Sequence, residues 1–325
     1  MGTDVATFLN SPSATDGVHR PRRVPIRMHA LLAGVLAGAF CLPASAALKV
    51  FACEPEWGAL VRELAGDHAS VYVATTALQD PHRIQARPSL VAASRNAQLA
   101  VCTGAEMEAG WLPLLLRQSG NAALQPGQPG HFEAAAHVKK LDVPTRLDRA
   151  DGDVHAAGNP HIQTDPRNIA LVATALAQRL ADIDPANAAS YRSRHADFSA
   201  RWSAAVARWE QQAAPLRGTP VVVQHAAFVY LERWLGLQQV ATLEPKPGVE
   251  PTSNQLSALL AQMQQRPARM VLRTAYGDPR SAEWFADRAR IPVVALPTTV
   301  GASERSLDLF GLFDETLRLL LKAVQ

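Results

Sequence analysis

One stretch of the chain holds a histidine between two proline turns. It reads Gly158-Asn159-Pro160-His161, and the turn Asp165-Pro166 follows shortly afterwards and begins a run of apolar residues at helical spacing. Imidazole is a common metal ligand, and a rigid turn at the start of a helix fixes its position. A single histidine in a loop is more often an ordinary solvated side chain, so His161 alone is a weak signal.

Two further histidines stand in comparable settings. His82 comes directly after Asp80-Pro81, and His225 follows a short buried run of valines by two residues. Ligands of open α/β sheets bind beyond the carboxyl ends of the strands, which is where these histidines are expected. We therefore predict that His82, His161 and His225 converge on one metal ion. Three neutral imidazoles suit Zn²⁺, whereas Mn²⁺ prefers more carboxylate oxygen.

The elements that position these histidines alternate between strand and helix. This pattern predicts an α/β fold with two parallel-sheet lobes that are joined by one long, rigid helix, with the metal in the cleft between them. We expect the first lobe at 47–163, the connecting helix at 164–183 and the second lobe at 184–325. The aromatic residues of the helix after Asp184-Pro185 are expected to pack in the core.

A segment at about 119–158 differs from the rest, because it is rich in Gly, Pro, Ala and Asp and has few large apolar residues. We expect it to be a mobile loop. It carries His131, His137 and His155. These residues are either ordinary solvated histidines or a sparse metal-capturing tract.

The N-terminus resembles a secretory signal peptide. A basic segment with four arginines precedes an apolar run at 31–40 and the small-residue site Ala44-Ser45-Ala46. We expect a signal peptide at 1–46 and a periplasmic mature chain, although Met28 is an alternative start. The apolar run is shorter than the roughly 20 residues that span a bilayer, so we expect no membrane insertion of the mature chain.

The mature chain is nearly neutral, since residues 1–46 carry four arginines and two aspartates of a chain with net charge +3. This balance gives no support to nucleic-acid binding.

The mature chain retains Cys53 and Cys102, each at the end of a predicted strand. In an oxidising compartment they form a disulfide if the strands are neighbours, and the alternatives are buried thiols or soft metal ligands.

The chain resembles the zinc and manganese solute-binding proteins of ABC transporters, the ZnuA-like group. The resemblance covers nearly all of 47–325. It is most specific in the Gly-Asn-Pro-His-Ile segment that follows Gly-Asp-Val-His. It is carried by Asp80-Pro81-His82, Gly104-Ala105-Glu106-Met107-Glu108, Gly152-Asp153-Val154-His155, Gly158-Asn159-Pro160-His161-Ile162, His225-Ala226-Ala227-Phe228 and Gly248-Val249-Glu250-Pro251-Thr252. It implies a metal site in the cleft, ligands at His82, His161 and His225, and delivery of the metal to a cognate ABC permease. We expect a monomer.

The chain departs from the family at one ligand. Members commonly supply an aspartate after the last strand, and here Thr298 stands near that place. The missing aspartate leaves three alternatives. Water completes the coordination shell of the metal, a carboxylate from elsewhere in the chain completes it, or the site is weakened and the protein binds another ligand. The carboxylates considered are Glu54, Asp80, Asp278 and Glu250.

Two other functions compete with transport. A three-histidine zinc site with an open position is also the arrangement of catalytic zinc, but the chain has neither a His-Glu-x-x-His helix nor a Gly-x-Ser-x-Gly elbow. We therefore expect no enzyme activity. The other alternative is an adhesin, or a binder of metal chelates, on the same fold.

Overall fold

The computed structural model describes residues 46–146 and 155–325. The predicted signal peptide, apart from Ala46, and the alternative start at Met28 lie outside these residues. So does the segment 147–154, which contains most of the Gly-Asp-Val-His motif.

The first lobe is built on a parallel sheet. Among the described residues this sheet has the strand order β2-β1-β3-β4. The central strands β1 and β3 are almost wholly buried, as expected of a parallel sheet covered by helices on both faces. The strands are β1 (Leu48–Ala52), β2 (Ala69–Val73), β3 (Leu99–Cys102) and β4 (His131–Glu133).

Strand β4 corrects the expectation of a loop without regular structure over 119–158. It pairs in parallel with β3, and Phe132 at its centre is buried. Nearby residues such as Leu124 and Val138 are also buried. A three-residue strand with one large apolar side chain is too short for alternation of polar and apolar residues to reveal it.

The second lobe repeats this design. Its sheet has the order β6-β5-β7-β8 among the described residues, and all pairs are parallel. The central strand β5 is again buried. The strands are β5 (Pro220–Val223), β6 (Gln238–Thr242), β7 (Met270–Thr274) and β8 (Val293–Leu296).

Helices cover both sheets. The first lobe contains α1 (Pro55–Ala65), α2 (Pro88–Arg95) and α3 (Leu112–Ser119). The second lobe contains α6 (Val229–Leu235), α7 (Ser253–Met263), α8 (Pro279–Ala289) and α9 (Leu309–Val324).

Two long antiparallel helices lie between the lobes in the sequence. Helix α4 (Pro166–Ile183) begins with the predicted signals, since Asp165 caps it through the backbone N–H of Arg167 and Pro166 occupies its first turn. Helix α5 (Ala188–Gln212) contacts both α1 of the first lobe and α9 of the second. The predicted class, two parallel-sheet lobes joined by a long helix, is confirmed. The sequence predicts the joining helix at 164–183, the position of α4, and α5 is a second long helix, with contacts to both lobes.

The aromatic residues of α5 pack in the core, as predicted. Trp202 and Trp209 are buried, with ring centroids 5.2 Å apart, and both lie against Phe313 of α9. This packing of large rings fixes the second lobe on the long helix.

Cys53 and Cys102 form a disulfide. Cys53 follows β1, and Cys102 is the last residue of the adjacent parallel strand β3. Their Cα atoms lie 4.8 Å apart. The pairing ties two loops together at the carboxyl edge of the first sheet. It occupies both sulfur atoms, so they are not thiolate metal ligands in this form of the protein.

Candidate metal centre

His161 is held by the turn that precedes it. Gly158 has φ +97°, a left-handed conformation, and a side chain there would collide with the carbonyl of Leu141. The Nδ1 atom of His161 lies 3.0 Å from the side-chain oxygen of Asn159, whose amide nitrogen donates to the carbonyl of Ala226. The ring is 2% exposed, and its Nε2 is buried without a hydrogen-bond partner among the described residues.

His82 is fixed in a similar way by the loop after β2. Its Nδ1 lies 3.2 Å from Oδ1 of Asp80, and the same oxygen accepts from the backbone N–H of His82. The indole N–H of Trp111 donates to the carbonyl of Pro81 at 2.9 Å and holds the loop against the first lobe.

His225 belongs to the second lobe and follows strand β5. Its Nδ1 lies 2.8 Å from Oε2 of Glu244, which follows β6. The same carboxylate oxygen accepts from the backbone N–H of Gly248 at 2.9 Å. The loop that begins after β6 therefore orients the His225 ring.

The three rings share one arrangement. In each, Nδ1 faces an oxygen acceptor, which places the proton on Nδ1 and leaves the lone pair of Nε2 available. The ring centroids lie 5.4 Å apart for His82 and His161, 5.4 Å for His161 and His225, and 6.2 Å for His82 and His225. The structure thus brings together the three residues that the sequence analysis selected, from both lobes.

A fourth histidine joins them. Nε2 of His155 lies 3.2 Å from Nε2 of His82, and the two ring centroids are 5.1 Å apart. In the sequence, His155 is only one member of a sparse tract of histidines. The signal that could have singled it out is its position six residues before His161, immediately ahead of the rigid turn.

The other histidines of that tract lie elsewhere. His131 contacts the carbonyl of Leu124 and the carboxylate of Glu133, and these contacts raise its pKa. His137 stacks on the ring of Phe132. A shared metal-capturing tract is therefore not what the described residues form.

The position of His161 favours a neutral imidazole. Burial holds the pKa of His161 well below its usual range, and the positive charges that His82, His225 and His155 carry when protonated lower it further. Burial alone would raise the pKa of Asp80, but its hydrogen bonds with His82 and the charge of that ring leave it below its ordinary value. Ligand histidines must be deprotonated to bind a metal, and His161 meets this condition well below neutral pH.

Two cavities meet at the histidines. One, of about 210 Å³, has His82 and His225 in its wall together with four acidic residues, Asp80, Glu244, Glu250 and Asp278. The other, of about 130 Å³, is lined by His155, His161 and His225 and by Asp142. The same wall contains Arg83, but the carboxylates outnumber this one guanidinium and favour entry of a cation.

The profile of a family described as zinc-uptake complex component A, periplasmic (ZnuA), matches residues 50–323. The chain belongs to the ZnuA family. A high-affinity zinc uptake system protein ZnuA of Paracoccus denitrificans is 24% identical over 329 positions, which cover 90% of this chain and 96% of that protein.

Further similarity extends across the metal-binding ABC solute-binding proteins that take zinc or manganese. A manganese ABC transporter substrate-binding lipoprotein, PsaA of Streptococcus pneumoniae, is 23% identical. The match covers 82% of this chain and 85% of that protein. A crystal structure of ZnuA superimposes with a TM-score of 0.71 at 23% identity, over 86% of this chain and all of that one. The fold is therefore that of the ZnuA family.

Three of the four carboxylates considered as a fourth ligand have other hydrogen-bond partners in this ZnuA-family chain. Asp80 lies behind His82, and Asp278 caps α8 and pairs with Arg280. Glu54 is buried and accepts from the hydroxyl of Thr103. Glu250 lines the larger cavity.

Thr298, at the place where the family commonly carries an aspartate, is buried beside His161. Its carbonyl accepts from the side chain of Gln163, and it lines a small cavity with His161 and Glu54. A hydroxyl at this position carries no negative charge, unlike a carboxylate.

A group of buried carboxyls lies beneath the site. Burial raises the pKa of Glu56 and of Glu108 to about 7, and that of Glu54 rises well above its ordinary value by burial and by the charges of Glu108 and Glu56. These groups are therefore protonated in mildly acidic solution, unlike surface carboxyls.

Within the described part of the chain, no helix has both the length and the apolar character needed to cross a bilayer.

Proposed function

We propose that this chain is a periplasmic solute-binding protein that captures Zn²⁺ through His82, His161 and His225. The observation that carries the proposal is the shared arrangement of the three rings. Each Nδ1 faces an oxygen of Asp80, Asn159 or Glu244, which leaves Nε2 available to a common centre. Such outer hydrogen bonds fix the tautomer and the orientation of metal-ligating histidines.

Zinc is the cargo that this donor set favours. Imidazole nitrogen binds Zn²⁺ well, whereas Mn²⁺ prefers carboxylate and water oxygen. Asp80 and Glu244, the carboxylates that contact His82 and His225, face the Nδ1 atoms of those rings. The relatives include a zinc uptake protein and a manganese transporter protein. The nitrogen-rich site of this chain favours zinc, the metal named for the first of them.

The ligands come from both lobes, which suggests how the site opens and closes. His225 reaches the site from the second lobe and His82 from the first. His161 reaches it from the turn that precedes helix α4. Because α5 packs on both lobes, we propose a small tilt with ordering of loops rather than a wide hinge motion. The loaded protein then delivers zinc to a cognate ABC permease.

Catalytic zinc would need a general base near an open position. Asp80 and Glu244 face the Nδ1 atoms of His82 and His225 and thereby serve to orient those rings. Glu54, Glu56 and Glu108 are buried and hydrogen-bonded. The arrangement favours a binding protein over a hydrolase.

The test is competition titration of metal-free protein with Zn²⁺ and Mn²⁺ against a chelator of known affinity. We expect one zinc per chain and far weaker manganese binding. His161→Ala should lose most of the zinc affinity, and His131→Ala, a change to a histidine outside the site, should retain it. Equal zinc affinity in the His161→Ala variant would refute the site.

A further inference from the structure

We propose that His155 is a fourth nitrogen ligand, so that the transported zinc is held by four imidazoles. This inference rests on the proposed function and deepens it, because it concerns the shell that completes the same site. It replaces the carboxylate that the ZnuA-like resemblance implied and that Thr298 does not provide.

The distance between two ring nitrogens is the first support. In a tetrahedral site with Zn–N bonds of about 2.0–2.1 Å, two ligand nitrogens lie roughly 3.3 Å apart. The Nε2 atoms of His82 and His155 are 3.2 Å apart. This separation also permits a hydrogen bond in the metal-free protein, in which Nε2–H of His155 donates to the lone pair of His82. On zinc binding His155 would change tautomer, with the proton leaving Nε2 to solvent and another taken up at Nδ1, so that the neutral ring offers the Nε2 lone pair to the metal between the rings.

The position of His155 relative to the other rings is the second support. It lines the same cavity as His161 and His225. The ring of His82 lies next to them, with its centroid 5.1 Å from that of His155 and 5.4 Å from that of His161.

The backbone around His155 is held in place from two sides. Its carbonyl accepts from the N–H of Gly158 at 3.0 Å, which joins it to the turn that carries His161. The carboxylate of Glu106 accepts from the N–H of Ala156. Ala105 and Glu106 have φ values of +49° and +66°, a conformation that non-glycine residues adopt only at a cost. This strained turn aims Glu106 at the backbone beside His155.

Charge balance is consistent with an all-nitrogen shell. Four neutral imidazoles leave the 2+ charge of zinc uncompensated within the shell. Asp80 and Glu244 lie directly behind His82 and His225 and supply two negative charges through the rings. A carboxylate ligand is therefore not required for neutrality.

Long-range ¹H–¹⁵N correlation spectra of the histidine side chains test the inference, since they distinguish metal-bound Nε2 from free imidazole. The full-length mature protein is compared without metal and with one equivalent of Zn²⁺. We expect four histidines to change to metal-bound Nε2 in the wild type and three in His155→Ala. His131→Ala, a histidine from the same segment with other partners, should still show four.

Zinc affinity provides a second readout. His155→Ala should weaken binding at least as much as the roughly 10- to 100-fold that loss of an outer-shell partner costs. Glu106→Ala should weaken it less, because His155 is retained but is less firmly placed. Asp142→Asn, which alters the carboxylate in the same cavity, should leave affinity unchanged.

The outcomes separate the two proposals. Three metal-bound histidines in the wild type, with no change in His155→Ala, would overturn the role of His155 and leave zinc capture by His82, His161 and His225 intact. A loss of affinity in Asp142→Asn together with that result would identify an oxygen ligand instead. Absence of zinc binding by the wild type would overturn the proposed function itself.

Discussion

Glu56 and Thr299 join the two lobes through a reciprocal pair of hydrogen bonds. The backbone N–H of Glu56, in the first turn of α1, donates to Thr299 Oγ1 at 3.1 Å. The hydroxyl of Thr299, which follows β8, donates in turn to the carboxyl of Glu56. Both residues are buried, and they lie beside the cavity that contains His161. The contact links the two lobes beside the candidate metal centre.

Thr299→Val should destabilise the protein, because the change keeps the shape of the side chain but removes the hydroxyl. It leaves the N–H and carboxyl of Glu56 buried without these partners, which costs about 1–3 kcal/mol in the free energy of unfolding. Chemical denaturation of the metal-free protein measures the effect. Thr298→Val is the matched control, because it retains the carbonyl that accepts from Gln163. Equal losses in the two variants would contradict a specific role for the Thr299 hydroxyl.

Glu56 should also make stability depend on pH. Burial raises its pKa from 4.5 to about 7 in the folded protein. Between these values the unfolded chain releases the proton while the folded chain keeps it, so the unfolded state binds fewer protons and the free energy of unfolding falls as pH rises. The contribution of Glu56 is on the order of 3 kcal/mol over this window, since one pKa unit is about 1.4 kcal/mol.

Glu56→Gln should remove that dependence, because the amide oxygen still accepts from Thr299 and the side chain does not ionise. Relative to the wild type, the variant should gain stability as pH rises from about 4.5 to 7, with a constant difference above that. Urea denaturation at several pH values measures this difference. A pH-independent difference between the two proteins would show that Glu56 is not the titrating group.

The sequence predicts the fold well where signals repeat. Buried valine and leucine runs mark the strands, and Asp165-Pro166 marks the start of α4. Strand β4 could not be predicted, because three residues with Phe132 as the only large apolar side chain carry no period. Its place in the sheet comes from pairing with β3, which is distant in the sequence.

The candidate site was only partly predictable for a similar reason. His82, His161 and His225 have local signals in their proline turns and in the strand before His225. The oxygen acceptor of His225 is Glu244, which the sequence analysis did not select, because the two meet only through the neighbouring strands β5 and β6. His155 is harder to predict, because it lies in a segment expected to be a mobile loop and only the folded chain brings its ring to His82.

Reduction of the disulfide should lower stability without changing the metal ligands. Cys53 and Cys102 are separated by 49 residues in the sequence. In the chain-entropy treatment, closing a loop of this length contributes about 4 kcal/mol to the free energy of unfolding. Denaturation of the Cys53→Ser/Cys102→Ser double variant should show a loss of this order. Zinc affinity, measured under native conditions, should change by less than about threefold, and a larger loss would indicate that the bridge also shapes the site.

Glu244→Gln should weaken zinc binding although Glu244 is not proposed as a ligand. Its carboxylate holds Nδ1 of His225 at 2.8 Å and accepts from the N–H of Gly248, so it sets both the tautomer and the direction of the ring. Loss of such an outer partner typically raises Kd by roughly 10- to 100-fold. Glu250→Gln is the matched control, because it removes a charge from the wall of the same cavity without a ring contact of this kind. Equal effects of the two variants on chelator competition would mean that the acidic wall acts only through its net charge. A larger effect for Glu244→Gln would show that its hydrogen bond to His225 is what prepares the ring for the metal.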